Sequence, residues 1–201
     1  MLRRFLAPLH PDGLKFVLAG AAATILLFLV WGLGGWIAAV VTLWLAYFFR
    51  DPWRVTPTRG GLLISPADGS VVSIATAPPP QELSMEDAPI TRIGIFLSIF
   101  DVHVIRAPLG GRVAAVRYTK GRFLNASRKE ASRHNERMAI RIAPPEGPEI
   151  AFVLVAGLVA RRIVCELREG QEVIAEQRMV GGETVLGDRL AREPARKGFA
   201  Q

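Results

Sequence analysis

The sequence predicts a mainly β domain of the α+β class, joined to an N-terminal hydrophobic helical hairpin. Three observations predict it. No charged residue occurs between Lys15 and Arg50. After Phe49 come short runs rich in Val, Ile, Leu and Phe, with Pro or Gly in nearly every gap. No long amphipathic helical period accompanies them.

The uncharged stretch from Phe16 to Phe49 is 34 residues long. One straight helix of that length would reach about 51 Å, well beyond the roughly 30 Å hydrocarbon core of a bilayer. Gly32-Leu33-Gly34-Gly35 divides the stretch near its middle, where glycine permits a tight turn. Two short helices, Phe16 to Trp31 and Trp36 to Phe49, therefore fit better than one long span. Arg3, Arg4 and Lys15 precede the stretch, and Arg50, Arg54 and Arg59 follow it. The positive-inside rule keeps both flanks on the cytoplasmic face of the cell membrane, and Trp31, Trp36, Trp44 and Tyr47 suit its interfaces. Whether the hairpin spans the bilayer or re-enters it stays open. A cleaved signal peptide fits poorly, because the second apolar half follows at once.

Residues 1–15 read as a basic N-terminus, 16–49 as the hairpin, 50–190 as the β-rich domain and 191–201 as a polar tail. Strands are expected at Leu62–Ile64, Val71–Ile74, Ile93–Ile99, Val113–Tyr118, Met138–Ile142, Ile150–Val155 and Leu158–Cys165. The stretch from Ala77 to Glu82, with three consecutive prolines, reads as an exposed loop. Glu169-Gly170-Gln171-Glu172-Val173 and Val180-Gly181-Gly182-Glu183-Thr184-Val185 each read as a tight turn entering a strand.

The formal net charge is +7, which suits an anionic partner. Arginines scattered among prolines, without aromatic interleaving on a strand, argue against nucleic acid and for an acidic lipid surface. A single cysteine, Cys165, excludes an internal disulfide and a multi-cysteine zinc site; its apolar neighbours make it a small core residue. There is no Walker loop, dinucleotide fingerprint or paired-histidine metal motif. Of the three histidines, His10 adjoins the apolar stretch and His134 lies in a polar run. His103 is the more suggestive, in Phe100-Asp101-Val102-His103-Val104 directly after an apolar run.

Several segments follow one another in a fixed order: Phe48-Phe49-Arg50-Asp51-Pro52, Ser65-Pro66-Ala67-Asp68-Gly69, Phe100-Asp101-Val102-His103-Val104, Asn125-Ala126-Ser127 with Asn135-Glu136-Arg137, and Ala156-Gly157-Leu158-Val159-Ala160-Arg161-Arg162-Ile163. This succession, from about Phe48 to Arg178, resembles the short bacterial form of the phosphatidylserine decarboxylase family. The resemblance implies a proenzyme that cuts itself at a Gly-Ser bond into β and α chains. It implies a pyruvoyl group made from that serine, whose ketone condenses with the substrate amine and accepts the electrons released with CO2. Phosphatidylserine would thereby become phosphatidylethanolamine. It implies catalytic roles for Asp68 and His103, and a weaker substrate-binding role for Asn135 and Glu136. Arg50, Arg54 and Arg59 would face anionic headgroups. Arg106 stands where longer members place a second histidine, the processing base; arginine cannot serve as a base at neutral pH. His103 is then the best base among the residues present.

One part of the pattern is missing. The short forms carry Phe-Gly-Ser after the strand that matches Glu169–Val173, followed by another strand. Here the chain passes from Ala175 almost directly to Met179, and its last serine is Ser132. The lone Gly-Ser pair, Gly69-Ser70, belongs to the Asp68 turn. No pyruvoyl precursor is found. A true deletion, an error in the sequence and a catalytically inactive membrane-bound paralogue all account for this.

Overall fold

A computed structural model describes residues 7–55, 61–126 and 130–174, and the backbone of 185–188. The first apolar helix, α1, runs Pro11–Val30 and starts five residues before the uncharged stretch. Proline at its first position has no N–H to waste, and His10 Nδ1 accepts from the Asp12 N–H, so the helix is capped ahead of Lys15. Its 20 residues, about 30 Å at 1.5 Å per residue, are long and apolar enough to cross a membrane. The second helix, α2, covers Gly32–Phe48.

The break between them differs from the expectation. Trp31 alone is extended, at φ −152°, and residues 32–35 form the first turn of α2. The glycines serve close packing instead. A Cβ at Gly34 would collide with the Trp31 ring, and one at Gly35 with the Phe28 ring. At mid-height Thr24 and Thr42 hydroxyls bond across the pair at 3.2 Å. At the base the Phe16 and Phe49 rings stack, and Leu9 bridges to Arg50.

The remainder is the mainly β domain. Its strands are β1 (Leu62–Ile64), β2 (Ser70–Ala77), β3 (Ile90–Phe96), β4 (Gly111–Thr119), β5 (Arg137–Ala143), β6 (Ile150–Val155), β7 (Glu172–Val173) and β8 (Val185–Asp188). A four-stranded antiparallel sheet has the order β6-β5-β4-β7; β1 pairs with β8, and β2 with β3. One sheet face carries the main core of Val113, Ile140, Ile142 and Phe152, joined by Ala107, Leu109 and Val173. Cys165 packs against it, and burial pushes its thiol up, as a core residue requires. In β4 a bulge between Val113 and Ala115 resets the alternation, so Val116 joins the main core while Ala115 faces the other side.

Two segments depart from expectation. The proline-rich stretch is not a free loop: a 3₁₀ turn at Gln81–Leu83 seats Leu83, 1% exposed, against Ala115 and Ala139. Glu82 is held there by Arg137 Nε at 2.8 Å, which lowers the carboxyl below its usual range. Leu158–Cys165 is not a strand. Gly157 N–H donates to the Ala160 carbonyl, so the chain turns away from the sheet, leaving Leu158, Val159 and Val164 exposed. The Gly170 turn does lead into β7, with φ +84° at the glycine; the similar turn at Val180–Thr184 lies outside the described residues, as do Arg59 and the 191–201 tail.

Candidate functional site

β3 ends at Phe96, and the chain closes a tight turn from Ser98 to Asp101 before an extended run to Ala107. Val102, Ala107 and Leu109 are buried and anchor that run. Val102 pointing inward leaves its neighbour His103 on the side of the hairpin. There the imidazole stacks on the Phe48 ring, with centroids 4.3 Å apart and planes 28° apart. Its Nδ1 lies 3.0 Å from the Asp101 carbonyl oxygen. A carbonyl only accepts, so in the neutral ring the proton sits on Nδ1 and Nε2 keeps its lone pair. Burial holds the ring's pKa below the ordinary 6.5, and Arg50 adds to this; the Asp101 carbonyl and carboxylate oppose it. His103 is therefore a neutral base at neutral pH, with one nitrogen open to accept a proton.

That shift has a consequence for stability. A base with a depressed folded pKa contributes stability above its unfolded value and loses it as pH falls through 6.5 toward the folded value. The protein should therefore lose stability as pH drops below 6.5, and His103→Gln should flatten that part of the profile. Denaturation midpoints taken between pH 5 and 8 check this.

Asp68 sits in the turn before β2, and its carboxylate is paired with Arg54. Arg54 is thus engaged within the domain, with its side chain 11% exposed, and is not presented to headgroups. Arg106 likewise has a structural partner: its guanidinium reaches Asp51 Oδ1 at 3.1 Å, while its backbone N–H donates to the Pro66 carbonyl at 2.9 Å. Arg50 donates to the Tyr47 and Phe100 carbonyls at 2.7 and 2.8 Å, its guanidinium 3.6 Å from the Tyr47 ring centroid. The residues just after α2 are therefore tied to both the Asp68 turn and the His103 segment. Sequence reasoning gave Arg50 and Arg54 to the membrane surface, and Arg106 to the place of a second histidine. Nothing local supplies the partners: Arg54 pairs with Asp68, 14 positions on, and Asp51 with Arg106, 55 positions on.

Asn135, expected near the substrate, is fully buried. Its Oδ1 accepts from the Leu124 N–H at 2.9 Å, and its Nδ2 donates to the Leu124 and Ala156 carbonyls at 2.9 and 2.8 Å. It clips three chain segments together. Glu136 is half-buried, and its carboxylate bonds the Tyr118 hydroxyl and raises that group's pKa. Phe48, absent from the expected site, is the ring on which His103 stacks.

The arrangement is a neutral imidazole on the segment after β3, stacked directly against the base of an apolar hairpin. The sequence was compared with known proteins. The family model for phosphatidylserine decarboxylase matches residues 41–186. The phosphatidylserine decarboxylase proenzyme of Cereibacter sphaeroides is 46% identical over 228 aligned positions, covering 100% of this chain and 98% of the relative. That of Ruegeria pomeroyi is 47% identical over 92% of this chain and 96% of its own. That of Paramagnetospirillum magneticum is 45% identical, over 95% and 91%. The chain belongs to the phosphatidylserine decarboxylase family, a family of lyases whose members are made as proenzymes.

A self-derived pyruvoyl group needs a serine that can become a chain end. Ser70 does not fit. It opens β2 in register with Phe96, and the preceding Gly69, at φ +138°, lies so close to the Phe96 carbonyl that even a Cβ would collide. No serine follows Ser132. The alignment with the Cereibacter protein is longer than this chain, 228 positions against 201 residues, so the relative carries internal residues without a counterpart here. The residues present do not supply the group.

Proposed function

We propose that this protein serves phospholipid biosynthesis as a phosphatidylserine decarboxylase, releasing CO2 from phosphatidylserine to leave phosphatidylethanolamine, in a form that carries the serine-bearing segment. The observation that supports it most is the neutral His103, held against the hairpin base with Nε2 open, within a chain 46% identical to a named proenzyme. The apolar hairpin supports a position at the cytoplasmic face of the cell membrane, with Arg50 near anionic lipid. In the serine-bearing form the pyruvoyl group would act as electron sink, and cleavage would leave a β chain paired with an α chain. His103 is the residue that moves a proton, and Asp68 holds Arg54 in the turn before β2.

A second reading has its own support. With no serine after Ser132, the 201-residue chain is an uncut, membrane-bound member that binds anionic lipid without decarboxylating it. Mass spectrometry of the purified chain, together with an assay for ethanolamine lipid formed from phosphatidylserine in vesicles, separates the two. One intact polypeptide without turnover supports the second reading for this chain. Turnover by an uncut polypeptide would overturn the pyruvoyl assignment.

A further inference from the structure

The turn that leads into His103 has features that neither the β domain nor the proton-transfer role explains. Ile99 and Phe100, at its tip, are 43% and 59% exposed, although both are large and apolar. The turn is nevertheless well tied. Ser98 N–H donates to Asp101 Oδ2 at 2.7 Å, Asp101 N–H to the Ser98 carbonyl at 2.9 Å, and Phe100 N–H to Ser98 Oγ at 3.3 Å. The Phe100 carbonyl accepts from Arg50. These polar groups of the tip thus have partners within the protein, which is what a backbone needs before it can leave water.

The same Arg50 ties the turn to the hairpin. It lies two residues after α2, bonds the Tyr47 carbonyl, and covers the Tyr47 ring. The turn's other end is held by the stack of His103 on Phe48, the last residue of α2. Phe48 also packs edge-on against Phe49, which stacks on Phe16 of α1. The apolar tip therefore sits beside the end of the hairpin, level with its last turn.

We propose that the Ser98–Asp101 turn is a second membrane contact, in which Ile99 and Phe100 enter the headgroup region of the bilayer beside the hairpin base. Removing the exposed apolar surface of Ile99 and Phe100 from water favours contact, and Arg50 adds attraction to anionic headgroups. The contact holds His103 at the bilayer surface, so a phospholipid headgroup reaches its Nε2 without the lipid leaving the membrane. The proposal rests on the hairpin being membrane-inserted.

The test uses the full chain with Cys165→Ala, reconstituted in phosphatidylcholine–phosphatidylglycerol vesicles. Single cysteines for an environment-sensitive fluorophore are introduced as Phe100→Cys, Ile99→Cys, Val40→Cys within α2, and Glu146→Cys in the exposed β5–β6 turn. Nitroxide lipids labelled near the headgroup or deep in the acyl chain act as quenchers. The labels at 99 and 100 should shift to the blue and be quenched by the shallow nitroxide. The label at 40 should be quenched by the deep one, and that at 146 by neither. If 99 and 100 behave like 146 while 40 is quenched, the turn does not touch lipid and the proposal fails alone. If 40 is unquenched as well, the hairpin reading fails and takes the proposal with it.

Discussion

Grafting into the Ala175–Met179 region the internal residues of the Cereibacter relative that lack a counterpart here is expected to turn an inert chain into a self-cutting one. The purified graft should run as two chains and convert phosphatidylserine to phosphatidylethanolamine, where the 201-residue chain gives only background. The effect is a switch, because a serine that is absent cannot become a chain end by any rearrangement of the residues present. Adding His103→Ala to the graft should abolish cutting or reduce turnover by about 10²-fold or more, the usual scale for removing a general acid–base group. Cutting and turnover at undiminished rates in that double variant would remove His103 from the chemistry. Phe48→Leu in the graft should leave the imidazole in place chemically but loosen its stack. It is therefore expected to shift the pH profile rather than eliminate activity, which separates positioning from proton transfer.

The second large effect concerns stability. Asn135→Ala should cost about 3 kcal/mol, since it strands the Leu124 N–H and the Leu124 and Ala156 carbonyls in a buried or part-buried site. Each unmet backbone group costs about 1–3 kcal/mol, and partial entry of water offsets some of the sum. Asn135→Asp is not a conservative replacement. It keeps the acceptor for Leu124 N–H but turns a carboxylate toward two carbonyl oxygens, so a comparable loss is expected. Glu136→Gln, one residue along, is the control, with a change within about 0.5 kcal/mol as for other partly exposed positions. Denaturant titration of the full chain in detergent, followed by near-ultraviolet circular dichroism, measures all three. A loss under about 1 kcal/mol for Asn135→Ala would mean that the three backbone groups find other partners.

Asn135 also shows why a motif and a site are different things. Beside Glu136 and Arg137 it reads as a polar residue available to a ligand, because nothing local says that Leu124 and Ala156 will close over it. The same holds for Arg54 and Arg106. Arg54 beside an apolar segment reads as suited to lipid and Arg106 as standing in for a histidine, yet Asp68 and Asp51 pair with these two. Leu83 is the converse case. It follows a run of prolines, where local chemistry says loop, but a large apolar side chain finds the free face of β4 and β5.

The order of short apolar runs, the punctuation by proline and glycine, the uncharged stretch and the lack of any serine after Ser132 were all determined by the sequence alone. They suffice for a mainly β domain behind an apolar hairpin, for membership of the family and for the missing precursor. These properties are local or compositional, and no packing can alter them. Tertiary structure alone decided that Trp31, not the glycines, breaks the hairpin, that Asn135 is a clip, and that Phe48 and Arg50 bind the His103 segment to the hairpin base. Those depend on which distant surfaces meet. Burial and pairing energies come from residues 11 to 55 positions apart, and a pattern read along the chain does not contain them.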